Sequence, residues 1–212
     1  MLRPKRQNSF LKQEWDRGTP EFDRVTNLSD AVFAIVMTLL VLTIGVPDVP
    51  QEQLAGKLLE HLPQVIVFVL SFALVANMWW QHHRFIDMLG SLEPGLMGMN
   101  LVLLGMIALV PFLTNLVGNS PTARAAVLPF IGLFAFITLM YLLMAVRAHR
   151  ADAWRRPLTS RLFHWHVGRL GAGIVVVLIS LVLAVRWPMA GLIVLGVTLV
   201  FGPLASLLTY RE

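Results

Sequence analysis

The sequence predicts an all-α integral membrane protein with six transmembrane helices, and three observations carry that prediction. Of its 212 residues 57% are hydrophobic and only 14% charged, with a mean hydropathy of +0.71, too little polar surface to enclose a soluble core of this size. The apolar residues fall into six stretches about long enough to cross a bilayer, which takes roughly 20 helical residues. Lys and Arg gather in alternate links between those stretches, as they do where basic residues set the orientation of spans.

Residues 1–20 mix Lys5, Arg6, Lys12 and Arg17 with Glu14 and Asp16. They show no sustained apolar periodicity and read as a cytosolic tail, with Phe10, Leu11 and Trp15 placed to touch the membrane interface. Residues 21–212 form the membrane domain. Its first span is expected at about 28–46, stopped by Pro47 and Pro50. A polar link with Glu52 and Glu60 leads to a second span at about 62–80. The third, at about 94–117, contains Asn100 and Pro111, and the fourth, at about 123–146, contains Pro129 as an expected kink. A basic stretch from Arg147 to Arg161 precedes the last two, at about 167–185 and 188–210. Gly98 and Gly105 in the third span, and Gly168, Gly171 and Gly173 in the fifth, read as surfaces for close helix packing.

Fourteen of the 17 Lys and Arg residues lie in the N-terminal region, the second-to-third link, the fourth-to-fifth link and the C-terminus, and only Lys57, Arg124 and Arg186 lie in the alternate links. That asymmetry places both termini in the cytosol of a multi-pass protein of the cell membrane. No short apolar core with a small-residue cleavage site precedes the first span, so no cleaved signal is expected. The net charge of +5 is absorbed by these juxtamembrane clusters, which disfavours nucleic acid as a partner. With no cysteine in the chain, thiolate metal sites and thiol chemistry are excluded.

The segment Arg24–Ile44 draws most attention. From Ala31 to Val46 no side chain is charged, so Asp30 sits just inside the membrane edge, where an ionised group is costly without a partner. An ideal helix turns about 100° per residue, which puts Ile35, Thr38 and Leu42 on one narrow face while Ser29 and Asp30 point elsewhere. That face either meets a neighbouring helix or lines a pore, and Asp30 is anchored among the other helices. At the matching depth the second span ends in Asn77, Met78, Trp79, Trp80, Gln81, His82, His83 and Arg84, a polar and aromatic cluster able to partner the acid. Adjacent His82 and His83 point about 100° apart on a helix, which disfavours a metal site. No Ser-His-Asp set, phosphate loop or carboxylate pair falls at one membrane depth, so no enzyme chemistry and no cofactor are expected.

Arg24, then Leu28-Ser29-Asp30, then the small and apolar run Ala31-Val32-Phe33-Ala34-Ile35 ending in Thr38-Leu39-Leu40 resembles the signature of the transmembrane protein 175 family of potassium channels. Leu28 stands where that family has Phe. The family's Trp, followed three residues on by His, is matched by Trp79 and His82. The resemblance implies a homotetramer in the lipid bilayer that passes K+ through a central pore lined by helix 1. Ile35 matches its constriction, with Thr38 and Leu42 deeper, and the permeant K+ is expected near Ile35 and Thr38. Arg24, Ser29, Asp30, Trp79 and His82 are expected to form a structural network holding that helix. No Thr-Val-Gly-Tyr-Gly filter is present, so selectivity must use another device. The alternative reading is a small proton-coupled transporter that relays protons through Asp30, His82 and Arg24.

Overall fold

A computed structural model describes residues 14–155 and 160–197. The chain is a bundle of long helices: α1 (Pro20–Leu39) continued by a 3-10 turn (Leu40–Thr43), a short α2 (Gln51–Glu60), α3 (Leu62–Met88), α4 (Pro94–Ala108), α5 (Val110–Asn119), α6 (Arg124–Arg150) and α7 (Ser160–Arg186). A further helix, α8 (Pro188–Val197), follows. Among the described residues, five segments are long and apolar enough to cross a membrane: Pro20–Thr43, Leu62–Met88, Pro94–Asn119, Arg124–Arg150 and Val167–Arg186. Of the expected sixth span, α8 is its described part, and the remainder to 210 lies outside the described residues.

Local chemistry moves several boundaries. Helix α1 starts eight residues before the apolar run because Thr19 caps it, accepting from the Phe22 amide at 3.4 Å, and Pro20 occupies the first helical position, where its missing N–H costs nothing. The span then tightens into the 3-10 turn and ends at Thr43, short of the expected 46, and Val46 is 90% exposed. Within the expected tail, residues 14–19 are docked against the link between α3 and α4. Trp15–Asp16 (β1) pairs antiparallel with Ser91–Leu92 (β2), and Arg17 bonds the Asp87 carboxylate and its backbone carbonyl, each at 2.8 Å. The earlier part of the expected tail, 1–13, lies outside the described residues.

Helix α3 extends past the expected end at 80 through the whole Trp-His-Arg cluster to Met88. The third span is two helices, broken at Leu109, because Pro111 cannot donate to the Ile107 carbonyl and its ring crowds that oxygen. Helix α6 continues through Pro129, whose missing N–H leaves the Ala125 carbonyl without its helical donor. The core is centred on α6, which packs against α4, α5 and α7, while α1 packs on α3, α4 and α5. Tyr141 ties α6 to α3 by donating to the Met78 carbonyl at 3.0 Å.

The glycines expected to form close contacts mostly do not. Among the described residues of the single chain, a Cβ at Gly98, Gly105, Gly168 or Gly171 would meet no atom within 4 Å, and one at Gly173 would make only an ordinary 3.7 Å contact with Thr138. Close packing falls instead on Gly191 in the α7–α8 hairpin, where a Cβ would stand 2.6 Å from Ala184 Cβ and 2.7 Å from the Ser180 carbonyl. The Ser180 hydroxyl donates to the Gly191 carbonyl across that crossing.

Candidate functional site

Helix α1 divides cleanly into two faces. Phe22, Val25, Ser29, Phe33 and Val36, with Leu40 in the 3-10 turn, are buried against the bundle. About 100° per residue places all six within one sector, roughly a third of a turn from Ile35. Ile35, Thr38 and Leu42 point away from that packing, with Ile35 56% and Leu42 74% exposed in the single chain. A stripe this apolar, running along an unpacked helix face, has no use for water and requires either lipid or other copies of the helix. Its sole hydroxyl, on Thr38, donates to the Ile35 carbonyl at 2.7 Å. That bond directs the proton inward along the helix and leaves the oxygen lone pairs as the polar feature of the stripe.

The residues around Asp30 separate into contacts and near misses. Trp79 Nε1 donates to Asp30 Oδ1 at 2.9 Å, joining α3 to α1. Ser29 is buried and receives Asn100 Nδ2 at 3.0 Å while donating to the Val25 carbonyl, which ties α1 to α4. His82 is buried behind α1, its ring 5.4 Å from Phe33 and 6.0 Å from Tyr141, and makes no hydrogen bond to Asp30 among the described residues. His83 turns the other way, 3.4 Å from Asp87. Arg24 is exposed and makes no ion pair with Asp30 among the described residues. Six residues of helix rotate it about 120° from Asp30, so the two cannot share a face. Asp30, His82 and Arg24 are thus not assembled into a relay.

At the opposite end a set of amides that the sequence reading did not single out holds the 3-10 turn. Asn115 Nδ2 donates to the Thr43 carbonyl at 3.3 Å. Gln64 accepts from the Gly45 amide and donates to Asn119 Oδ1, both at 2.9 Å, and Asn119 bonds back to Asn115. One turn inward, Thr114 donates to Ser71 at 2.9 Å, joining α5 to α3. These bonds satisfy carbonyls and amides that the end of α1 leaves without helical partners. The available signal was the recurrence of Gln and Asn at the ends of apolar spans, together with Asn100 alone inside one.

A family model described as endosomal/lysosomal potassium channel TMEM175 matches residues 24–111, from the second turn of α1 to the first residues of α5. A potassium channel of Chamaesiphon minutus is 35% identical over 138 residues, covering 62% of this chain and 68% of that protein. The endosomal/lysosomal proton channel TMEM175 of Mus musculus is 24% identical over 143 residues, 66% of this chain but only 28% of that protein. Among solved structures, a lysosomal potassium-selective channel TMEM175 homolog from Chamaesiphon minutus matches with a TM-score of 0.77 at 26% identity, covering 89% of this chain and 99% of that one.

Proposed function

Because the chain belongs to the TMEM175 family of potassium channels, we propose that it conducts K+ selectively through a central pore built from four copies, each contributing α1. The single observation that carries the pore assignment is the unpacked stripe of Ile35, Thr38 and Leu42 on a helix whose other side is fully engaged. One such helix cannot enclose a water path, and closed rotational symmetry turns each stripe residue into a ring. The Ile35 ring is the constriction, which closes by excluding water, and the Thr38 oxygens one turn deeper replace part of the hydration shell of a passing K+. Leu42 continues the apolar wall beyond them. Asp30, bonded to Trp79, orients the helix rather than touching ions.

The experiment is K+ flux from liposomes holding the purified protein under a K+ gradient, followed by a bi-ionic K+/Na+ reversal potential. A channel lets each ion run only down its own electrochemical gradient, whereas a K+ gradient that drives protons uphill with the membrane potential clamped would indicate a coupled carrier.

In this reading the protein lies in the cell membrane with both termini in the cytosol. The chain lacks native Cys, so Glu14→Cys and Glu52→Cys each introduce a single thiol at an exposed position. In intact cells an impermeant thiol reagent is expected to label Glu52→Cys and leave Glu14→Cys untouched until the membrane is opened. The reverse pattern would invert the topology.

A further inference from the structure

Helix α2 (Gln51–Glu60) buries none of its 10 residues against the rest of the described chain, and Pro50 precedes it without a side-chain cap. Isolated helices shorter than about 12–15 residues are marginal in water, and helices in proteins owe most of their stability to a packed apolar face. Helix α2 therefore needs support from outside the described chain, and its sequence supplies a face for it. At about 100° per residue, Leu54, Ala55, Leu58 and Leu59 fall within an arc of about 140°, and Gln53, Lys57 and Glu60 within about 60° on the opposite side. Gln51, at the first helical position, is the polar residue inside the apolar arc, and Glu52 lies at its edge. Leu54, Leu58 and Leu59 are all exposed, while Lys57 and Glu60 pair at 2.8 Å on the polar side.

The place of α2 in the fold identifies what covers that arc. The first span ends at Thr43 and the second begins at Leu62, so α2 connects two span ends at the membrane surface. The Gly45 amide, bonded to Gln64 at 2.9 Å, holds those ends at one level. Only His61 separates α2 from α3. Pro63 cannot donate to the Leu59 carbonyl, which breaks the helix at that point. Beyond the break Leu62 and Ile66, each four residues on from the last along Leu58, carry the exposed apolar surface into the span. The leucines of α2 thus continue a membrane-embedded surface at the depth where the chain leaves the bilayer. With two Glu against one Lys on the helix, no attraction to anionic headgroups is available, and its hold on the membrane rests on apolar area.

We propose that α2 is an interfacial helix. It lies in the membrane surface with Leu54, Leu58 and Leu59 sunk to the boundary of headgroups and acyl chains, whatever the headgroup charge, and with Gln53, Lys57 and Glu60 facing water. In that position it anchors the link 44–50, and through it the end of α1, to the bilayer. The partner is a lipid surface and the test does not use ion flux, so the proposal stands or fails apart from the channel reading.

Because the chain has no native Cys, Leu58→Cys and Gln53→Cys can each carry a single environment-sensitive fluorophore in phosphatidylcholine nanodiscs, where both membrane surfaces are open to the solution. At position 58 the emission is expected to shift to shorter wavelength, to be quenched by nitroxide-labelled phosphatidylcholine and to resist aqueous iodide. Position 53 is expected to show the reverse. Leu54→Cys, one turn before Leu58 on the same arc, is expected to repeat the position 58 result and serves in its place should that variant not fold. Replacing half of the phosphatidylcholine with phosphatidylglycerol is expected to leave the pattern unchanged. Equal iodide quenching at 53 and 58 would place the arc in water and overturn the proposal. Shielding of 54 and 58 from both iodide and the nitroxide lipid would show that a neighbouring subunit covers the arc, and a pattern that appears only with phosphatidylglycerol would make the contact electrostatic; either result also overturns it.

Discussion

Replacing Ile35 with Asn is expected to raise resting K+ flux through the reconstituted channel by on the order of tenfold and to weaken its preference for K+ over Na+. Four apolar side chains around a narrow axis hold water out, and an ion crossing there must shed hydration with nothing to replace it. An amide at the same place offers both a donor and an acceptor, so the constriction wets. Lowering the crossing barrier by about 1.4 kcal/mol corresponds to the tenfold rise. Ile35 is 56% exposed on the single chain and outside the packed side of α1, so the folded subunit should be no less stable, which a thermal melt checks. Thr38→Ala is the counterpart: K+ preference should fall with less effect on opening, because the stripe loses its side-chain oxygen but keeps its apolar ring. Unchanged conductance and selectivity in Ile35→Asn would place the constriction elsewhere and remove the pore role of this face.

Asp30→Ala and Trp79→Phe are expected to act oppositely to the pore variants, impairing assembly while leaving selectivity intact in whatever channel remains. Trp79→Phe takes the indole donor from a carboxylate at the membrane edge, and a hydrogen bond to a charged group is worth roughly 1.5–3 kcal/mol. Asp30→Ala strands the indole N–H instead, at about 1–3 kcal/mol. Because the two side chains meet in one 2.9 Å bond, the double variant should lose less than the sum of the singles. Melting temperature and the fraction of assembled oligomer after size exclusion are the readouts. If Asp30→Ala assembled like the parent and altered only ion preference, Asp30 would be a pore residue.

Most of the span plan and the α1 stripe were legible before any coordinates. Apolar runs of bilayer length announce themselves by composition, and a helix rotates its residues at a nearly constant angle, so the separation of Ile35, Thr38 and Leu42 from Ser29 and Asp30 needed only arithmetic. The proximity of Trp79 to Asp30 was also within reach, since both sit at one membrane depth and the acid required a donor. Arg24 shows the limit of reasoning by proximity along the chain: it is near Asp30 in sequence and on the wrong side of the helix. Asn100 shows the opposite case. It is 71 residues from Ser29, and only the packing of α4 against α1 makes them partners.

By itself the sequence determined a multi-span helical membrane protein, because unbroken apolar length and internally satisfied backbone leave no other structure in a bilayer. It also determined which α1 residues share a face. Tertiary structure alone decided which of the two α1 faces is packed, that Pro111 rather than Pro129 divides a span, and that the distant amides Gln64, Asn115 and Asn119 close the far end of α1. The physical reason is one of range. Helical rotation and hydropathy are set by neighbours within a few residues, whereas the direction a face points is set by which helices it meets, and that depends on contacts between residues tens of positions apart.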